Sequence, residues 1–203
     1  MRTINPEQQA ARRQHILQAA LACFARKGFR GTTTNEICKE AGMSSGNLFH
    51  YFPSKLALIE AIAYERRKIW EDRFTKIEQS DNMFQAIEQA ALDLLKDSIR
   101  DKYPRINVEV LAEQLGRTEM GNFFNSYEEE SKEQMKKIIK KGVAAGQMDK
   151  DLDVDVAATW LITLYNGIIA TAGRNKKIRV KTYGPALVKL IRSFLSPGPN
   201  ADK

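Results

Sequence analysis

Between Thr33 and Pro53 the sequence marks the start and the stop of two short helices in succession. Thr33-Thr34-Asn35-Glu36 has the S/T-x-x-E form of a capping box, in which a threonine hydroxyl and a glutamate carboxylate satisfy each other's free backbone N–H groups. A helix therefore starts at about Thr34, carries Ile37, Cys38 and Ala41, and stops at Gly42, a residue suited to the left-handed position beyond a helix end. The segment that follows, MSSGNLFHYFPSK over residues 43–55, has two faces when wound as a helix. Leu48 and Phe52, one turn apart, point inward; Gly46, Asn47 and His50 point the other way, with Phe49 at the flank. Pro53 ends this helix by biasing Phe52 away from helical geometry, and Ser54 is placed to cap the next.

Two short helices joined by Gly42-Met43-Ser44 need a brace. Ile16, Leu17, Ala20, Leu21 and Phe24 supply it at helical spacing between Gln8 and Lys27, with Gly28 as the stop. This is the helix-turn-helix plan, whose second helix enters the DNA major groove. Ser44, Ser45 and the first N–H groups of that helix can donate to phosphate, Gly46 permits close approach, and Asn47 and His50 can reach base edges. A helical hairpin that only packs fits the same geometry, so charge bears on the choice. Residues 1–55 hold eight Lys or Arg against three Glu, a net of +5, whereas the other 148 residues add only +2. Such a gradient favours a polyanion partner for the first quarter of the chain, although solubility alone accepts a modest excess.

Gly42-Met43-Ser44-Ser45-Gly46 also satisfies G-x-S-x-G, the nucleophile elbow of serine hydrolases. That elbow needs a strand before it and an acid and a histidine after it, in that order. A helix precedes it here, and the only later histidine is His50, on the same short helix, so the match is rejected. No metal motif, P-loop or dinucleotide fingerprint occurs, and no cofactor is implied. Cys23 and Cys38 sit in helical patterns without metal-ligand spacing and read as reduced core residues. The chain has no signal-peptide apolar region and no apolar run approaching the ~20 residues of a membrane span, so the expected location is the cytoplasm, away from membranes.

Downstream, Leu58, Ile59, Ile62, Ile69, Trp70, Phe74 and Ile77 predict a long helix up to Ser80-Asp81-Asn82. Helices follow at about 83–102, 105–115 and 121–145, then from Asp153 to Ala172, and a last one through Leu187, Leu190, Ile191 and Phe194. No segment reads as a strand, so the fold class is all-α: a three-helix N-terminal domain joined to a larger helical domain.

The run from Gly28-Phe29 through Thr32-Thr33-Thr34, Glu36-Ile37, Ala41-Gly42-Met43-Ser44, Gly46, Leu48-Phe49-His50-Tyr51-Phe52 and Ser54-Lys55 closely resembles the N-terminal domain of TetR/AcrR-family transcriptional regulators. The resemblance implies DNA contacts, largely to phosphate, from Thr33, Phe49, His50, Tyr51 and Lys55, with Ser44, Ser45, Gly46 and Asn47 opening the recognition helix. Asn47 stands where threonine is frequent in the family, and Phe49 where tyrosine is frequent. Phe49 lacks the phenolic donor, leaving Tyr51 and His50 as the donors beside it. A weaker match, Gly142-Val143-x-x-Gly146-x-Met148-x-x-Asp151-Leu152-Asp153, is found in some members' second domains.

The resemblance further implies a DNA-binding domain at 1–53, an effector-binding and dimerisation domain at 54–196 and a flexible tail at 197–203. Its expected partners are a palindromic double-stranded operator, a small-molecule effector and a second copy of the chain. The homodimer would form through helices at about 154–173 and 183–196, with Leu161, Ile162, Ile168, Ile169, Leu187, Ile191 and Phe194 supplying apolar surface. Trp70, Phe74, Phe123, Phe124 and Tyr127, with Trp160, Tyr165 and Asn166, form the candidate effector lining, set against plain core packing. Glu109 and Glu113, one turn apart, suit a cationic ligand or a solvated face. The expected activity is that of a ligand-released repressor and not of an enzyme. A DNA-binding adaptor for a protein partner, or a helical enzyme or carrier, are the alternatives.

Overall fold

The computed structural model describes residues 5–116, 118–175 and 177–196, and among them every regular element is a helix. The tail expected at 197–203 lies outside the described residues. In chain order the helices are α1 Pro6–Gly31, α2 Thr34–Glu40, α3 Ser45–Tyr51, α4 Lys55–Glu78, α5 Met83–Arg100, α6 Pro104–Gln114, α7 Glu119–Ala144, α8 Val154–Thr171 and α9 Val180–Leu195.

Their ends fall close to the expected ones because each end is written in nearby residues. The Thr33–Glu36 capping box forms in both directions. Beyond α2 the Met43 N–H donates to the Cys38 carbonyl and the Gly42 N–H to that of Lys39, a Schellman stop with Gly42 at φ +60°. The same pair of bonds closes α7, from Gln147 to Gly142 and from Gly146 to Val143, which gives the Gly142…Gly146 run its structural meaning. Gly28, at φ +80° and ψ 168°, breaks helical geometry in α1 where the stop is expected, and residues 29–31 add a short helical turn beyond it.

Internal contacts divide the chain into two compact units, Met1–Lys68 with Arg105–Phe123, and Ile69–Pro104 with Phe124–Lys203. This partition differs from 1–53 and 54–196. The first turns of α4 and nearly all of α6 belong with the helix-turn-helix, because α6 is bonded to the end of α1 by the side chains described below. In the first unit Ile16, Leu17, Phe24, Ile37, Leu48 and Leu58 are fully buried, and Phe24 meets Phe29 edge to face at 5.2 Å. Cys23 and Cys38 are free thiols in this core. In the second unit the core takes Ile87, Leu94 and Leu95 from α5, Met135, Ile138 and Ile139 from α7, Leu161 and Tyr165 from α8, and Ile191 and Leu195 from α9.

Helix α8 corrects one expectation: by length and composition alone its 18 residues are apolar enough to cross a bilayer. The reason is that α8 is apolar on two sides. Ala157, Ala158, Leu161, Ile162, Tyr165 and Ile168 are buried in the unit's core, while Val156 and Trp160 face outward.

Candidate nucleic-acid interface

Helix α3 is seven residues long, too short to hold its shape without tertiary support. It is anchored by Leu48, which is completely buried, and by Phe52 at its extended end, 3% exposed. Burying two such side chains contributes about 2 kcal/mol each, and the Arg13 guanidinium lies 4.6 Å above the Phe52 ring. The opposite side is presented to solvent: Ser45, Gly46, Asn47 and His50 are exposed, and Phe49 is 45% exposed. A Cβ at Gly46 would meet nothing within 4 Å of this chain, so the space over the start of α3 is open to a ligand's backbone.

Several polar groups read as phosphate donors have work within the fold. Ser44 caps α3, its Oγ accepting the Asn47 N–H at 3.3 Å, and the Ser45 hydroxyl donates to Asn35 Oδ1 at 3.4 Å. Thr33 is exposed at the head of α2, where its hydroxyl donates to the Glu36 carboxylate. Lys27, by its hydrogen bond, and then the Thr33 N–H and hydroxyl hold the Glu36 carboxyl down to about 2. Lys55 is half-buried, with Nζ donating to the carbonyls of Phe29 at 2.7 Å and Thr32 at 3.0 Å, so two of its three protons are committed and one is left. His50 and Tyr51 meet edge to face at 5.5 Å.

The charge tally changes accordingly. Of the cations in the first 55 residues, Arg26 pairs with Glu40, Lys27 with Glu36 and Arg30 with Glu113. Arg12, Arg13 and Lys39 have no acidic partner among the described residues, and with the remaining Lys55 proton they are the positive charge available to a polyanion.

Glu109 and Glu113 are not solvated but bonded to the end of α1. Glu109 Oε2 accepts the Phe29 N–H at 2.8 Å, and Glu113, 9% exposed, takes both arms of Arg30 at 2.9 and 3.3 Å. Phe123 also falls in the first unit. The second unit retains Trp70, Phe74, Phe124, Tyr127, Tyr165 and Asn166. Trp70 stacks on Tyr165 at 5.6 Å and touches Phe74 at 5.9 Å, and Arg73 lies 5.1 Å over the Trp70 ring. Asn166 donates to Glu128 at 3.4 Å. Trp160 is 60% exposed and belongs to the surface. Tyr165 Oη is buried with no hydrogen-bond partner among the described residues, and burial raises its pKa, keeping it a donor.

The side chains expected at the dimer surface mostly face the chain's own core. Leu161, Ile162, Ile168 and Ile191 are buried within the chain's own core, and Ile169, Leu187 and Phe194 pack partly against it. The apolar side chains left outside are Val156 and Trp160 on α8 and Tyr183 and Leu190 on α9, a pattern that sequence reading missed. Val156, Trp160, Thr163 and Gly167 recur at helical spacing, and that was the available signal.

A small three-helix head with a solvent-facing recognition helix, followed by a helical unit, defines a DNA-binding transcriptional regulator of the helix-turn-helix class. Residues 16–62 match the model of the bacterial regulatory proteins, tetR family. Over 160 residues, 74% of each chain, this one is 28% identical to the HTH-type transcriptional repressor KstR2 of Mycolicibacterium smegmatis. Over 184 residues, 91% of this chain and 93% of the relative, it is 22% identical to the HTH-type transcriptional regulator UidR of Escherichia coli K12. The family match thus covers the helix-turn-helix segment, and both relatives are named as HTH-type transcriptional regulators or repressors. The fold agrees with that of Salmonella enterica GusR (TM-score 0.78, 24% identity, 96% of this chain and 99% of that one). It also agrees with that of Bacillus subtilis FadR in complex with stearoyl-CoA (TM-score 0.75, 18% identity, 88% and 96%).

Proposed function

We propose that the protein is a homodimeric repressor that binds a palindromic operator through α3 and releases it when a small molecule binds in the second unit. The observation that carries the DNA reading is the division of α3 into a buried side, Leu48 with Phe52, and an exposed side of Gly46, Asn47, Phe49 and His50. Asn47 and His50 read base edges, while Thr33, Tyr51, Lys55 and the N-terminal N–H groups of α3 meet phosphate. Two α3 helices in a symmetric dimer reach half-sites about 10 bp or a low multiple apart. The groups offer DNA chemistry and no catalytic constellation has been assigned, so a regulator is favoured over an enzyme. Retaining the protein with sheared genomic DNA and sequencing what stays bound at two salt concentrations tests this. Wild-type protein should recover a palindrome, and Asn47→Ala should recover one altered at the bases that Asn47 reads. Retention without any sequence preference would overturn the reading.

For the effector, one relative is named a repressor and one similar fold holds a fatty acyl-CoA, and the second unit here carries the buried Tyr165 hydroxyl beside Trp70 and Arg73. A buried hydroxyl without a partner costs roughly 1–3 kcal/mol, and such a cost persists where a ligand later supplies the acceptor. Tyr165→Phe should therefore stabilise the ligand-free protein by about 1 kcal/mol in a urea titration and make operator release insensitive to effector. A destabilised variant would remove Tyr165 from the site.

A further inference from the structure

The stretch from Arg26 to Thr32, where α1 gives way to α2, has its backbone groups met by side chains from two other helices. Gly28 turns the chain out of helical geometry at φ +80°, and the N–H that follows, of Phe29, is taken by Glu109 Oε2 of α6 at 2.8 Å. The carbonyl of the same residue is taken by Lys55 of α4 at 2.7 Å, and Lys55 also reaches the Thr32 carbonyl at 3.0 Å. Arg105 of α6 donates to the Arg26 carbonyl at 3.0 Å and to Glu109 Oε1 at 2.8 Å, which fixes the carboxylate's orientation. Glu113, one turn further along α6, holds Arg30. The fit around Glu109 is close. A Cβ on Gly28 would lie 2.7 and 2.9 Å from the two carboxylate oxygens, so the carboxylate occupies room that only a glycine leaves.

Phe29 is thus gripped at its N–H by α6 and at its carbonyl by α4, and the residue that leaves this joint, Thr33, is the N-cap of α2. From this geometry we propose that Glu109 is a positioning residue for DNA binding. Through the Phe29 N–H it holds the joint at 29–33 in the form that presents Thr33 and the remaining Lys55 proton to phosphate. The proposal rests on the phosphate roles given above to Thr33 and Lys55, and adds that α6 sets them. Without Glu109 the Phe29 N–H has no acceptor, the joint relaxes toward water, and the Lys55 ammonium loses the fixed carbonyls that aim it.

Glu109→Ala, Glu109→Gln and wild-type protein should be compared on the duplex recovered from genomic DNA, measuring affinity across a salt series. Glu109→Ala should bind roughly tenfold more weakly, the worth of one charge-assisted hydrogen bond, and its slope of log affinity against log salt should fall by about one for each phosphate no longer engaged. Glu109→Gln keeps one acceptor for the Phe29 N–H while giving up that of Arg105, and should restore the slope and most of the affinity. A general loss of stability would lower the bound fraction without changing the slope, so the slope separates positioning from mere bracing. Hydrogen exchange of amides 29–33 in the DNA-free protein should quicken in Glu109→Ala and not in Glu109→Gln. An unchanged slope in Glu109→Ala, or a lowered slope that Glu109→Gln does not restore, overturns the proposal. Wild-type protein that retains no DNA overturns the regulator reading itself, and the positioning role with it, whatever the exchange shows.

Discussion

Trp160→Glu should convert the protein to a monomer and weaken operator binding by two orders of magnitude or more. Val156 and Trp160 stand 48% and 60% exposed on the outer side of α8. The rest of that side is less polar than its residue names imply. The hydroxyls of Thr159, Thr163 and Thr171 donate back to the carbonyls of Asp155, Thr159 and Gly167 at 2.7, 2.8 and 2.5 Å, which satisfies them within the helix. A Cβ at Gly167 would meet nothing within 4 Å in this chain, so a neighbouring helix can come close there. On α9, Tyr183 and Leu190 are 45% and 54% exposed. An uncovered tryptophan beside valine and glycine is what a helical interface uses as its anchor. In a two-fold dimer each substitution acts twice, and the two glutamates would be drawn into an apolar contact together. Loss of the dimer leaves each head to find its half-site alone, forfeiting the ~10²–10⁴ that linkage supplies. Light scattering after size exclusion reads the first effect and DNA titration the second; Asn47→Ala should remain dimeric. A dimeric Trp160→Glu protein would show that this side of α8 is simply a solvated face.

What the sequence made legible was set by the range of the interaction involved. The ends of α2 and α3 were readable because Thr33, Glu36, Gly42, Ser44 and Pro53 act on backbone groups a few residues away. The two sides of α3 followed from period alone. Glu109 was misread because its partner, the Phe29 N–H, is 80 residues distant in the chain. A one-turn spacing of two glutamates looks the same whether they face water or clamp a turn. The charge excess of the first quarter was overcounted for the same reason, since the partner of Arg30 lies 83 residues on. Leu161, Ile162 and Ile168 were assigned to the dimer because hydrophobicity cannot say which of two apolar sides of α8 meets its own core. The burial pattern puts those three in the chain's own core and leaves Val156, Trp160 and Gly167 on the exposed side.

Arg192→Met is expected to lower the urea midpoint of the protein by stranding a buried carboxylate. Glu88 on α5 is 5% exposed, and its carboxylate is held by both arms of Arg192 from α9 at 2.9 and 2.8 Å. Taking away the guanidinium leaves a buried carboxylate without its partner, a cost lessened here because the Arg192 side chain is 60% exposed and water can follow it out. The packing is close elsewhere along the same pair of helices: a Cβ on Gly184 of α9 would stand 3.0 Å from Leu92 of α5. The double variant Glu88→Met/Arg192→Met removes the stranded charge and should return most of the way to the wild-type midpoint, a recovery that a simple loss of packing would not allow. Urea titrations of the wild type, both single variants and the double variant measure it. A single Arg192→Met with an unchanged midpoint would class the pair with ordinary surface ion pairs. Since α9 also carries Tyr183 and Leu190, a protein that loses α9 packing in this way should dimerise less well too, tying the internal ion pair to the surface that joins two copies.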